Sequence, residues 1–267
     1  MDILKRSLAP IPQEAWDEID ESARDVLKNV LMARKSLAIN GPKGWDYPAV
    51  PEGRLDIIED NKPSKDVSNI CTGKYKVKSL VEARVSFNLD RWELDNVSRG
   101  AKDINLDNLE AACEKLAMFE DDVILNGYKN EITGLAEAAG HKYSFGKEIN
   151  TILKNIGQGV EDLKYSYVEG PYDLIVSEKA YDLINVIIDG GYMLNIVKKL
   201  IGGSIIKSKA CKGAVLIPHK EEDIEFTLGH DFSIGYEKED PQTVGLFVSE
   251  SFTLRILDED KIVAYKL

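Results

Sequence analysis

Apolar positions recur along the chain with two different periods, and the changes of period mark its elements. Between Pro12 and Lys35, residues Trp16, Ile19, Ala23, Val26, Val30 and Ala33 return at steps of three and four, the spacing of one helical face. Pro12 suits the first turn of that helix. Leu27 and Leu31 form a second apolar line beside the first, more hydrophobic surface than one flat contact needs. From Val81 to Asp90 the period drops to two, with Val81, Ala83, Val85, Phe87 and Leu89 apolar between Glu82, Arg84, Ser86, Asn88 and Asp90, which predicts a half-buried strand. Asp90 and Glu93 then have the spacing of a capping box, and Gly100 can close the short helix that follows. Leu109, Ala112, Cys113, Leu116, Phe119 and Val123 predict a helix over 107–126, about 30 Å long at about 1.5 Å per residue, with Gly127 at its end.

The middle of the chain alternates helices and strands. Helix is predicted over 147–163, a buried strand over 173–176, a helix capped by Ser177 running to Ile188, another from Met193 to Gly202, and a strand over 214–218. Val244, Leu246, Val248, Phe252, Leu254 and Ile256 then alternate over a strand too long for an ordinary small sheet, with only Glu250 breaking the apolar side. Such a strand would pair with 81–90. Between 46 and 80 the chain is polar, turn-rich and thin in large apolar residues, which reads as a long hairpin arm. An isolated hairpin is marginal in water, so the arm must lie on something, and a neighbouring copy is the favoured support.

Composition narrows the function. A net charge of -12 argues against nucleic acid and anionic lipid as partners. No apolar run is long enough to span a bilayer or to serve as a secretory signal, so a soluble cytoplasmic protein is expected. Cys71, Cys113 and Cys211 are odd in number and widely spaced, neither a disulfide framework nor a zinc pattern. No phosphate-binding glycine loop, nucleophile elbow or HExxH occurs, and His141, His219 and His230 lack a companion ligand at helical spacing. Clusters such as Glu120–Asp122 read as solvated faces. No catalytic or metal-binding residue is therefore assigned, and no enzymatic activity is expected. Trp92, where strand gives way to helix, is open to three readings: core, subunit contact, or a plate for a flat ligand.

With these elements placed, the blocks MDILKRSLAPIPQEAWDEID, GPKGWDY, LDRWELDNVSRG, MFEDDVILNG, VEGPYDLIVS, LGHDFSIGYE and LFVSESFTLRI resemble the family 1 encapsulin shell proteins, also called linocin-like, over nearly the whole chain. That resemblance implies an α+β fold of the tailed-bacteriophage major capsid (Hong Kong 97) type. On it, 1–45 holds the first helix and the start of a peripheral domain, 46–80 an elongation arm, 81–132 the peripheral domain with its spine helix, 133–225 an axial domain, and 226–267 the returning peripheral strands. It further implies an icosahedral homo-oligomer of about 60 copies enclosing a cargo protein, through the cargo's short C-terminal targeting peptide. A ferritin-like enzyme serving iron storage or oxidative-stress protection is the expected cargo.

The residues that would take that peptide are Leu27, Leu31 and Arg34 on one side and Leu228, Asp231, Phe232 and Ile234 on the other. Ala38 stands where many relatives carry an acid, which removes a partner for a basic peptide, although a short apolar and basic cargo tail is what the family leads one to expect. Asp189, Gly190, Gly191 and Tyr192 would line a five-fold pore. Some members bind flavin (FMN or riboflavin) against the tryptophan matching Trp92, beside the arginine matching Arg84, and both residues are present. The competing readings are a viral or prophage capsid subunit, a protease and a flavin-dependent redox shell.

Overall fold

The computed structural model describes residues 2–58, 72–188 and 191–267. Its helices are α1 Gln13–Val30, α2 Arg91–Ser98, α3 Asp107–Asn126, α4 Leu135–Ala138, α5 Ile149–Tyr165, α6 Glu178–Ile184 and α7 Met193–Ile201. One sheet contains β1 Ala38–Asn40, β4 Val81–Asp90, β11 Ile224–Leu228, β12 Ser233–Glu239 and β13 Thr243–Ile256. A second contains β5 His141–Ser144, β6 Tyr172–Val176, β9 Gly202–Lys207, β10 Ala214–Pro218 and β14 Val263–Lys266. Two ribbons complete the described elements: β2 Ala49–Ile58 with β3 Thr72–Ser79, and β7 Ile187–Ile188 with β8 Gly191–Tyr192.

The first sheet is built around β13. All of β4 pairs with it antiparallel, from Val81 opposite Phe252 to Asp90 opposite Thr243, the pairing its alternation predicts. Its other edge is covered in sequence by β11, opposite residues 252–256, and β12, opposite residues 244–249. Between them Gly229–Phe232 leaves the ladder, so one continuous edge is interrupted opposite Glu250. Burial of β13 on both faces explains why its alternation is incomplete.

Helix α1 lays Trp16, Ile19 and Ala23 on the first sheet, and α3 adds Leu109, Cys113 and Leu116 to the same core. Asp90 caps α2 by accepting from the N–H groups of Trp92 and Glu93, while the Glu93 side chain turns to the Asn105 N–H at 3.0 Å rather than back to Asp90. The loop GPKGW joins the LGHD corner: Lys43 and Gly44 N–H donate to the carbonyls of Leu228 and Gly229 at 3.0 and 2.7 Å, and Trp45 stacks on His230 at 3.6 Å. A Cβ on Gly41, whose φ is +141°, would lie 2.5 Å from the Leu228 carbonyl oxygen, so the close approach requires glycine there. Two sequence blocks nearly two hundred residues apart are thus one structural unit.

Two boundaries differ from the sequence reading. Helix α6 stops at Ile184 instead of reaching Ile188, because the apolar β-branched run Val186–Ile188 passes into the β7–β8 ribbon. The final residues do not all return to the first sheet: β14 lies between β5 and β10 in the second. Its residues Val263 and Tyr265 face the second core while Ile262 and Ala264 face the core shared with α3, so the strand bolts the two together. The tip of the arm, 59–71, lies outside the described residues, as does Cys71; Cys113 and Cys211 are buried free thiols.

The second core contains a close approach with a measurable consequence. Gly159, inside α5, would place an added Cβ 2.0 Å from the Tyr265 hydroxyl, which is itself buried without a partner among the described residues. Gly159→Ala should therefore lower stability by about 1–3 kcal/mol despite the helix preference for alanine. Tyr265→Phe, which removes the unpaired hydroxyl, should cost little alone and recover most of that loss in the double variant. Denaturant titration of the four proteins checks this; additive losses would show that the contact relaxes freely.

Candidate functional site

The interruption between β11 and β12 opens a groove of about 620 Å³ between α1, the N-terminal segment and the edge of the first sheet. Leu27, Leu31 and Arg34 form one wall, and Asp231, Phe232 and Ile234 the other, bringing together six of the residues expected to meet a peptide. Leu228 is the exception. It shares a face of β11 with Ile224 and Phe226 and is 1% exposed in the core beneath, so it supports the corner without reaching the groove. The sequence reading missed Leu4, Arg24 and Val248, which also line the groove. Leu4 arrives because its carbonyl accepts from the Tyr236 N–H at 2.8 Å, laying the N-terminus along β12. Arg6 locks this arrangement through Asp20 at 2.8 Å and the Trp16 ring at 4.0 Å.

Under the groove lies a buried ionic cluster. Arg34 sits on a short 3-10 turn, Ala33–Ser36, after α1, and its Nε lies 2.7 and 2.8 Å from the two Glu120 carboxylate oxygens. Its Nη2 meets both Glu120 and Glu250, the latter at 3.1 Å, and its Nη1 donates to Asp231 at 2.8 Å. Phe226 and Phe232 flank the guanidinium at 5.5 and 5.0 Å. Glu120 and Glu250 are fully buried, contrary to the reading of the Glu120–Asp122 run as a solvated face. Asp121 is buried as well, receiving the Met32 and Ala33 N–H groups and the Ser208 hydroxyl, and so ties the end of α1 to α3.

One guanidinium faces three carboxyl groups, so the cluster carries an excess of negative charge if all are ionised. Burial, reinforced by Glu120, drives the Glu250 carboxyl well above the ordinary glutamate range and so favours its protonated form. Burial opposes the charge on Arg34, but its bonds to Glu120 and the charges of Glu120 and Asp231 prevail and keep it protonated. Burial also raises Asp121 to about 6, against the pull of its N–H and hydroxyl donors.

The other expected sites are less developed. Trp92 is 68% exposed, not core, with the Arg99 guanidinium 5.5 Å from its ring. Arg84 lies over the Phe247 ring at 4.0 Å and 3.2 Å from Glu82. Six residues of β4 separate it from Asp90, about 20 Å of strand. Within one chain Arg84 and Trp92 therefore stand at opposite ends of this stretch, each with its own partners. Asp189 and Gly190 lie outside the described residues, while Gly191 and Tyr192 form one side of the β7–β8 ribbon, Tyr192 half exposed. Among the described residues no cluster suited to a metal ion occurs, and no helix is long and apolar enough to cross a membrane.

The protonated carboxyl makes stability depend on pH. Folded Glu250 holds its proton to higher pH than the unfolded chain does, so the native state loses stability as pH climbs from about 4.5 through the raised value. Asp121 adds a loss of the same sign between 3.8 and about 6. Glu250→Gln keeps a neutral group of the same shape beside Glu120. Its melting temperature should gain steadily on that of the parent protein as pH rises above about 4.5. Parallel curves across that range would remove Glu250 from this role.

Comparison with known proteins agrees with this architecture. The Linocin_M18 family, described as an encapsulating protein for peroxidase, matches residues 1–253. A type 1 encapsulin shell protein of Rhodospirillum rubrum is 36% identical, covering 98% of this chain and 96% of that one. A virus-like particle from Pyrococcus furiosus superposes with a TM-score of 0.67 at 16% identity, covering 92% of this chain and 97% of that one. The capsid of Myoviridae phage XM1 does so at 0.59 and 11% identity, covering 88% and 91%. The fold is that of the Hong Kong 97-type capsid proteins, and the extent of the sequence match places this chain in the type 1 encapsulin shell protein family.

Proposed function

We propose that the chain is the repeating subunit of a closed icosahedral compartment of about 60 copies, housed in the cytoplasm and built around a cargo protein. One observation carries this reading, the β2–β3 ribbon. Leu55, Ile57, Ile58, Tyr75 and Val77 are 49–76% exposed along it. The Leu80 N–H closes the ribbon's base on the Pro48 carbonyl at 2.9 Å, and Arg255 of β13 ties it to the body through the Pro51 carbonyl at 3.2 Å. A two-stranded ribbon of this kind is marginal in water, and its apolar side chains need cover that a neighbouring copy can supply. Closed symmetry satisfies that need for every copy at once.

The groove beside α1 gives such a shell a way to hold its contents. Apolar walls and a fixed guanidinium suit a short extended peptide, the usual logic of groove recognition. The cargo peptide would lie against Leu27, Leu31, Phe232 and Ile234. A ferritin-like enzyme handling iron or oxidative stress is our proposed cargo, on the strength of the family resemblance; the family's description names a peroxidase instead, and mass spectrometry of co-purified protein decides between them. The β7–β8 ribbon, with Tyr192 half exposed and Ile187 exposed at 74%, is the proposed pore rim.

Electron microscopy of the purified protein should show uniform hollow particles, and folded monomers at working concentration would contradict the proposal. Ile57→Asp with Tyr75→Asp should prevent closure and leave small soluble species. Leu27→Asp with Leu31→Asp should leave particles intact and empty of cargo. Unchanged loading in the second variant would move the docking site elsewhere.

A further inference from the structure

Both roots of the β2–β3 arm rest on the corner between β11 and β12. Ahead of β2, Trp45 stacks on the His230 ring at 3.6 Å with 15° between the planes, and the N–H groups of Lys43 and Gly44 donate to the Leu228 and Gly229 carbonyls. Behind β3, Leu80 packs so close that a Cβ on Gly229 would lie 2.8 Å from its Cδ2 atom. His230 is 5% exposed.

Two serines of β13 fix the protonation of that ring. The Ser251 hydroxyl accepts the His230 backbone N–H at 3.0 Å and stands 2.9 Å from Nδ1, while Ser249 Oγ stands 3.3 Å from Nε2. Ser251 thus has one hydrogen to give, and Nδ1 takes it, so the neutral ring carries its own proton on Nε2. A second proton on the ring would meet that hydrogen head-on. The hydroxyl would have to turn its hydrogen away, losing the bond it donates. The Trp45 face offers a cation some compensation, but burial prevails and holds the imidazole below its usual pKa, with smaller influences from Glu82, Arg84 and Asp231. Glu82 and Arg84 pair with each other on β4 at 3.2 Å, and Asp231 and Glu250 are engaged by Arg34. Lys43 and Asp46 on the docked loop are exposed.

We propose that this corner is an acid-sensitive latch on the arm: a second proton on His230 drives the ring from between Ser249 and Ser251 and releases Trp45. The arm then moves more freely at its roots. The consequence for assembly rests on the shell reading above, in which a looser arm holds its neighbour less firmly. Native His230 takes its second proton less readily than the unfolded chain does. Its contribution to stability is therefore full above about pH 6.5 and lost as pH falls through the lowered value. Glu250 and Asp121 have the opposite sign and strengthen the fold toward acid, so acid loosens the corner in particular.

Deuterium exchange of the full chain tests the latch, with rates corrected for the intrinsic effect of pH. From about pH 7.5 to about pH 5.5, exchange in peptides covering 43–50 and 78–82 should speed up about fivefold, the worth of one net hydrogen bond. The change should reverse on neutralisation. In His230→Gln, whose amide donates and accepts without titrating, the two rates should agree. Trp45→Ala, a change at the surface, should exchange at the faster rate at both pH values. Unchanged exchange in the parent protein, an equal acid response in His230→Gln, or slow exchange of Trp45→Ala at neutral pH each overturns the latch. Electron microscopy of the same samples reads the shell separately: free chains at neutral pH would overturn the shell reading, while the exchange rates still decide the latch.

Discussion

The structure depends on a single long strand with one interrupted edge. Along β13 the β4 side is paired without a gap, while the opposite side is paired twice, by β11 and by β12, with Gly229–Phe232 standing off between them. A break in a buried ladder leaves polar groups that need partners. The corner supplies them: Ser251 N–H donates to the His230 carbonyl at 3.0 Å, Gly229 N–H to the Ser251 carbonyl at 2.8 Å, and the His230 ring lies between Ser249 and Ser251. Burial keeps that imidazole below its usual pKa, hence neutral, under the Trp45 ring. Into the space opened at Glu250 comes Arg34, and with it the end of α1.

From that one insertion the groove follows. An arginine held by two buried carboxyls and an exposed one cannot swing into solvent, so the turn that carries it is fixed to α3 and β13 together. Replacing a buried ion pair by apolar groups is often harmless, whereas removing one partner is costly. The cluster is accordingly best understood as a positioning device, which sets the distance between α1 and Phe232 and hence the width of the groove. The raised proton affinity of Glu250 belongs to the same device, since a second full charge beside Glu120 would press the carboxyls apart.

Elements with one clear period were legible in the sequence. Strand β4 and helix α3 begin and end where their patterns predict, because each buries one well-defined face. The arm was legible from its lack of a core, though not the apolar side chains it exposes. Strand β14 was not, because it is four residues long and the three from Val263 to Tyr265 are buried on both faces, which shows no alternation. The ionic cluster was also hidden: Arg34, Glu120 and Glu250 are separated by 86 and 130 residues, and only their burial identifies them. One signal was available, the acid at 250 on the apolar side of a buried strand, which implies a buried partner. Leu228 was misplaced because its parity follows Phe226 into the core, and the register resets at the corner before Phe232.

Fold and function separate at this point. A capsid protein with little sequence in common shares this fold, so the frame by itself does not fix what the chain does. Acidic copies repel one another, and burial of apolar surface such as that on the β2–β3 ribbon is what can overcome the repulsion. Cations spread over the surface would ease assembly a little everywhere. Arg24, Lys28 and Lys35 instead gather at one rim of the groove, beside its apolar walls. On the proposed reading, the features that would fit the compartment to one guest lie on one face of α1 and a four-residue corner, apart from the frame that would close it.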